Sequence, residues 1–284
     1  MKIDKSSLIA SIILVALCAG FLLYKENVRG KLFRAGDLTV WVFDIGQGDA
    51  IFIDGPEKQV LIDGGPDAKV LEKLSAVMMP WNRSIDTVVL THPHADHVNG
   101  LLPVLERYAV TNVYDSGQGY DTAEFKEFEN LAPRHRAIIA GEQIDLGGGA
   151  TLTALWPESS YDNKEISDPN DGSVVFLLEY GDTTMLLAGD AGVDEEETWT
   201  SPHVDVLKAG HHGSRTSSSE DLLQTITPNA AIISVGAVND YGLPDEDVQS
   251  RFAKSGIIVY RTDIHGDIRV RTLGGEPEIS TLNL

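Results

Sequence analysis

Residues 87–100 read TVVLTHPHADHVNG. The first five are aliphatic or β-branched, which suits a strand buried on both faces. The six that follow contain His92, His94, Asp96 and His97. Side chains alternate along an extended segment, so His92 and His94 project to one side, while Asp96 and His97 fall at the turn into a helix beginning near Val98. Three imidazoles and a carboxylate within six residues supply ligands for two adjacent divalent metals. A solvated polar loop is the competing reading. It is disfavoured because three of the chain's eight histidines stand together directly behind a buried strand.

Outward from this stretch, strand and helix patterns alternate without repeats or low-complexity segments. LTVWVFDI (38–45), AIFIDG (50–55) and QVLIDGG (59–65) read as strands, and AKVLEKLSAVMM (68–79) has helical spacing. Downstream, ATLTALW (150–156), SVVFLLEYG (173–181) and TTMLLAGD (183–190) are strand-like, with YGDT a hairpin turn. VDVLKAG, NAAIISVG, IIVYRTD and GDIRVRT then alternate with the helical SSEDLLQTI and PDEDVQSRFAKSG. Interleaved strand clusters and helices predict an α/β domain over residues 35–284, with two sheets between helical layers.

Three further strand ends carry reactive side chains. Asp190, in LLAGDA, is placed to bridge two metals, or is a turn residue. In KAGHHGS, one of His211 and His212 points back at the metals while Gly213 lets the backbone turn sharply; the competing reading is a pair capping the next helix. Asp63 is a turn residue or an acceptor that orients a ligand imidazole. Lys208 and Arg215 bracket the histidine pair, and hydroxyls run from Thr216 to Ser219, offering donors for a phosphate at a helix start.

The chain has 284 residues and a formal charge of −21; its first 34 carry six basic and two acidic residues, so the remaining 250 carry −25. That excludes a protein that coats nucleic acid through a generally basic surface. The one basic concentration is Arg251, Lys254, Arg261, Arg269 and Arg271 against Asp263 and Asp267, a local +3 that reads as a polyanion track or as solvated surface. The single cysteine, Cys18, excludes intramolecular disulfides and thiolate metal sites. Residues 6–24 are uncharged, long enough at about 1.5 Å per residue for a membrane layer of about 30 Å. Residues 1–34 are therefore expected to form a membrane anchor and basic linker. Lys25, Arg29, Lys31 and Arg34 outnumber Lys2 and Lys5 and favour a cytoplasmic domain, but short signal anchors send long domains across, and the expectation is an extracytoplasmic hydrolase.

Between about residues 38 and 272 the chain resembles the metallo-β-lactamase fold, and within it the C-terminal domain of ComEC-type competence proteins. FDIGQGDAIFI, LIDGG, THPHADHVNG, LLAGDA, LKAGHHGSRTSSS, ISVG, YGLP and VYRTDIHGD occur in that family's order. The resemblance implies a four-layer αββα sandwich that degrades one DNA strand with divalent metal. It implies two Zn or Mn ions, the first on His92 and His94, the second on Asp96, His97 and His211, with Asp190 bridging. Two departures stand out. The fold's usual histidine before the bridging aspartate is absent, leaving Asn170, Asp171 or Ser173 to complete the first site. YGLP replaces a common YGHP, so Leu243 provides no proton and His212 or Tyr241 takes that part. Asp96, His212, Lys208 and Tyr241 are thus expected to act on a single-stranded DNA substrate. The relatives' polytopic channel is missing here, which points to a separate DNA-translocating channel as partner. Two readings compete: hydrolysis of a small lactone, thioester or lactam, and a non-catalytic binding domain, which the retained ligands disfavour.

Overall fold

Alternation along the first strand decides where the core lies. In β1 (Leu38–Val42), Leu38, Val40 and Val42 point one way and Trp41 the other, and all are buried. Both faces of this strand are therefore covered, as a sheet packed between another sheet and helices requires. The computed structural model describes residues 36–199 and 203–284. The chain divides into two units, Met1–Asp37 and Leu38–Leu284. The expected membrane anchor lies outside the described residues; among these, no helix is long and apolar enough to cross a membrane.

Eight strands form the first sheet. With β1 are β2 (Ile51–Asp54), β3 (Gln59–Ile62), β4 (Ser84–Val89), β5 (Ala109–Asp115), β6 (Arg136–Ala137), β14 (Asp267–Thr272) and β15 (Glu278–Leu282), in the order β15-β14-β1-β2-β3-β4-β5-β6. The second sheet contains β7 (Gln143–Gly147), β8 (Ala150–Trp156), β9 (Val175–Tyr180), β10 (Thr183–Leu187), β11 (Val206–Lys208), β12 (Ala230–Ile233) and β13 (Ile258–Arg261), in the order β13-β12-β11-β10-β9-β8-β7. Val40, Ile53, Ile62 and Val270 of the first sheet share one core with Leu152, Phe176, Leu187 and Ile232 of the second. On the far side of the second sheet, Leu186, Leu207 and Ala231 pack with Leu222, Leu223 and Ile226 of helix Glu220–Ile226 and Val248 and Phe252 of helix Glu246–Lys254. Helix Lys69–Val77 buries Val70, Leu74 and Val77, its apolar stripe.

Strands β3, β4 and β5 are parallel, as are β10 through β13. Parallel runs put successive carboxyl ends at the same edge, so the loops after β3, β4, β10 and β11 cluster. A bond from Val174 N to Thr91 O, at 3.0 Å, ties the loop after β4 to the start of β9 and so joins the two sheets at that edge.

Candidate metal centre

The chemistry-bearing residues stand just past these strand ends. Beyond β4, Thr91 N and Oγ1 donate to Asp63 at 2.8 and 2.7 Å, which fixes where the loop leaves the sheet. His94 is extended (φ −67°, ψ 149°) and starts the short helix Ala95–Val98 that carries Asp96 and His97. Asp190 follows β10 by three residues. His211 and His212 lie in the 3-10 turn Gly210–Gly213 after β11, at φ of 46° and 52°, left-handed values that non-glycine residues seldom adopt. Such a turn costs on the order of 1–3 kcal/mol per residue and is found where a surrounding site fixes it.

These side chains converge. Around Asp190 Oδ2 stand His212 Nε2 at 3.3 Å, His97 Nε2 at 3.4 Å, His92 Nε2 at 3.9 Å and His211 Nε2 at 4.0 Å. Asp96 Oδ2 lies 3.4 Å from His212 Nε2 and 3.9 Å from His97 Nε2. His92 Nε2 and His94 Nδ1 are 3.0 Å apart. Compact donor groups result: His92, His97 and Asp190; Asp96, His97 and His212; Asp49, Asp190 and His212.

The outer nitrogens are anchored. His97 Nδ1 donates to Asp63 at 2.8 Å and His212 Nδ1 to the Ser234 carbonyl at 3.1 Å. His92 Nδ1 sits 3.1 Å from Thr91 Oγ1 and 3.0 Å from Ser173 Oγ. Because the Thr91 hydroxyl proton goes to Asp63, the His92 ring is the donor there. Each anchored ring then presents Nε2 inward, the arrangement by which metal-binding histidines are oriented. His97 Nε2, His212 Nε2 and Asp190 Oδ1 are buried without a hydrogen-bond partner among the described residues. The other carboxylate oxygen, Asp190 Oδ2, lies 3.3 and 3.4 Å from the two Nε2 atoms without forming a hydrogen bond to either. Buried lone pairs aimed at one space are costly unless something occupies it, and this donor set of imidazole and carboxylate fits divalent cations.

The charges agree. Burial alone would lower His97 and His212, but Asp190, with Asp63 and Asp96 at His97 and with Asp49 and Asp96 at His212, raises both well above the usual imidazole value. Burial would raise Asp190, and His212 and His97 instead hold it well below the carboxylate range. His92 is lowered by burial and by His97 and stays neutral. The cluster therefore concentrates ionised carboxylates around imidazoles that only a competing cation would neutralise.

Several expected residues are placed differently from what their neighbours in the chain suggest. His212, 2% exposed, joins the compact donor groups, and the expected ligand His211 stands nearer the mouth, its Nε2 4.0 Å from Asp190 Oδ2 and its Nδ1 3.2 Å from Thr216 Oγ1. Lys208 does not reach the mouth: it is fully buried, 2.8 Å from Asp49 Oδ2 and 3.0 Å from the Ala209 carbonyl it donates to. The Ser218 and Ser219 amides, expected to face a phosphate, donate to the Glu196 carboxylate instead. Arg215 is exposed and pairs with Asp245 at 2.9 Å. Ser173 reaches the first group through His92 and accepts from Asp190 N at 3.1 Å, while Asn170 Oδ1 is buried without a partner beside it. Asp171 offers its carbonyl to Trp156 Nε1. Within the +3 stretch, Arg261 pairs with Asp263, Arg251 donates to the Ser218 carbonyl and Arg269 lies over Trp41.

One residue was not foreseen. Asp49, 1% exposed, links Lys208 to His212 Nδ1, 3.6 Å away, and burial, which would raise it, is overridden by Lys208 and His212, so it is held well below the carboxylate range. Its signal in the chain is the Gly46-Gln47-Gly48-Asp49 turn, where a charged residue precedes a buried strand. A cavity of about 420 Å³ opens over the centre, bounded by Gln47, His94, Tyr120, His211, Tyr241 and Leu243 among others. Among the described residues, no lysine or arginine lines it.

A family model for the metallo-beta-lactamase superfamily matches residues 43–237, which include every donor named above. The chain belongs to the metallo-beta-lactamase superfamily. Within it, the chain is similar to ComEC-type competence proteins. It is 28% identical to ComE operon protein 3 of Bacillus subtilis over 95% of this chain and 37% of that one. It is 31% identical to Competence protein ComA of Neisseria gonorrhoeae over 90% of this chain and 35% of that one. The chain thus spans about a third of the length of these relatives. The metallo-beta-lactamase fold protein YhfI from Bacillus subtilis superposes with a TM-score of 0.51 at 14% identity, covering 78% of this chain and 95% of that one. The chain has the fold of a metal-dependent hydrolase of this superfamily.

Proposed function

We propose that this chain is a membrane-anchored, two-cation phosphodiesterase acting on DNA, with single strands as its substrate. One observation carries the reading: the Asp190 carboxylate, which has two oxygens to offer, belongs both to the donor group of His92 and His97 and to that of Asp49 and His212, so two neighbouring cations could share it. Similarity to competence proteins supports DNA as the polymer. Divalent cations bound in such a donor set supply Lewis-acid stabilisation of developing negative charge and acidify water.

The chain's own residues provide the rest. Asp63 and the Ser234 carbonyl hold protons on the outer nitrogens of His97 and His212 and direct Nε2 inward, so the Nε2 proton is the one that a bound cation would displace. Asp190, with His92, His97, His211 and His212 around its Oδ2, is the carboxylate that would be held in common if two cations bind. Asn170, whose Oδ1 is buried without a partner among the described residues, takes the part of the missing first-site histidine, and Ser173 orients His92 from its outer nitrogen. Asp96 has a side chain 31% exposed, and it is the carboxylate placed to hold a proton of the attacking water at the cavity floor. Tyr241 and Tyr120 on the cavity wall are the hydroxyls available to a leaving oxygen.

A second reading, hydrolysis of a small acyl substrate, is favoured by the cavity's neutral lining of Gln47, Tyr120, Tyr241 and Leu243. One experiment separates them. The full chain in detergent micelles, supplied with Mn²⁺ or Zn²⁺, is offered single-stranded DNA, bis-p-nitrophenyl phosphate, a lactam and a thioester. Phosphodiester cleavage abolished by Asp96→Ala is expected. Thioester or lactam turnover with no phosphodiester cleavage would install the second reading instead.

A further inference from the structure

Among the described residues no lysine or arginine lines the cavity over the metal centre, so a long DNA strand needs cationic side chains placed elsewhere. The first sheet supplies a place. Its penultimate strand β5 is covered by β6 only at Tyr114 and Asp115. Among the described residues no strand pairs with Ala109–Val113 on the side away from β4, and Ala109, Thr111 and Asn112 are exposed. This open edge borders a second cavity, of about 350 Å³, whose lining contains no acidic side chain. In a region of net charge −25 such a lining is a local reversal.

The groups that line it suit nucleic acid. Arg134 and Arg136 form one wall with Tyr108 and Tyr114. The Arg136 guanidinium lies 4.5 Å from the Tyr114 ring centroid, and Arg83 lies 5.9 Å from that of Tyr108. Arg136 is also held by Glu142 at 2.9 Å, and His135 faces Asp115 at 3.3 Å, so these two acids are engaged. Arg83 donates to the Asn82 carbonyl, Arg134 is exposed, and neither has an acidic partner within 4 Å among the described residues.

We propose that this edge is a handhold for single-stranded nucleic acid. Guanidinium planes over tyrosines are stacking platforms for bases, and free strand amides together with Arg83 and Arg134 take phosphates. The strand also has a direction that helps. Beyond β5 the chain passes the isolated Gln118–Lys164 bridge and reaches Tyr120, which lines the metal-centre cavity. From Tyr108 to Tyr114 is roughly 20 Å at about 3.3 Å per residue, room for several nucleotides of a site of roughly 4–16.

The inference rests on the polynucleotide reading above, and its test is read separately. Binding of a fluorescein-labelled 20-mer of deoxythymidylate to the full chain in micelles is measured by polarisation in chelator, where no cleavage occurs. Turnover of bis-p-nitrophenyl phosphate, too small to span the two places, is measured with Mn²⁺. Arg83→Ser with Arg134→Ser is expected to weaken oligonucleotide binding at least tenfold and leave small-substrate turnover unchanged. Arg83→Lys with Arg134→Lys, which keeps the charge, is expected to recover part of the affinity and its salt dependence; no recovery would overturn the proposal. Unchanged affinity in the serine variant, or no binding by the wild type, overturns it as well. Equal affinity for a polyglutamate of the same length would reassign the edge to an acidic peptide strand. Oligonucleotide binding without turnover of any phosphodiester would leave the handhold and remove the hydrolytic reading; turnover without binding would do the reverse.

Discussion

At His211 and His212 the chain offers two identical side chains, and only backbone conformation separates them. Both are left-handed, and the turn sends His212 to Asp96 and Asp190 while His211 stays at the rim. Hence His212→Ala is expected to lose at least one bound metal and His211→Ala to retain both, as elemental analysis of the two variants would show. Nothing in the letters HH encodes this, because left-handed backbone in non-glycine residues is imposed by tertiary packing. Lys208 teaches the same lesson. Beside two histidines it reads as a substrate cation, yet strand alternation turns it inward onto Asp49. Lys208→Ala would leave a buried carboxylate without its ammonium, at a cost of about 3–5 kcal/mol. A lowered denaturant midpoint is therefore expected, with the salt dependence of catalysis unchanged; the opposite pair of results would return Lys208 to the substrate.

Among the elements, the long apolar strands were legible, because burial on both faces leaves runs such as TVVL and FLLEY with few other conformations. The two-residue β6 and the terminal β15 were not: one is too short to show a period, and the other, EISTL, is half-exposed and polar. The break after Ala95–Val98, before helix Leu101–Arg107, was also hidden, since the residues on either side are helix-compatible. Short loops carry the precision of the centre. The Gly46-Gln47-Gly48-Asp49 turn lies against the helix that bears Asp96; a Cβ at Gly48, whose φ is 118°, would come within 2.0 Å of the Asp96 carbonyl oxygen. That oxygen is backbone and has no room to yield. Gly48→Ala is expected to displace Asp96 and Asp49 together, lowering metal content and stability by more than the about 1 kcal/mol that glycine replacement usually moves. Normal metal content with normal stability in that variant would show that the turn is free to shift.

For the molecule as a whole, the donor cluster sets how stability depends on pH and metal. In the metal-free chain His97 and His212 are raised above their unfolded value near 6.5 by Asp190 and their other carboxylates. Groups raised in this way stabilise the fold fully below the unfolded value and lose that contribution as pH climbs through the folded values. Asp190, lowered by the same histidines, contributes above its unfolded value and loses it as pH falls further; the two shifts describe one set of ion pairs and count once. The chelated protein is therefore expected to be most stable between roughly pH 4 and 6.5, and to weaken towards pH 9 by at most about 1.4 kcal/mol per pH unit for each histidine. Divalent metal reverses the slope, because binding displaces those protons and tightens as they become easier to remove. Denaturant midpoints at pH 6 and pH 9, with chelator and with Zn²⁺, would show falling stability in the first series and a growing gap between the two. A chelated protein whose stability rose from pH 6 to pH 9 would mean that His97 and His212 are already neutral without metal, and that the carboxylates around them are not the source of the cluster's field.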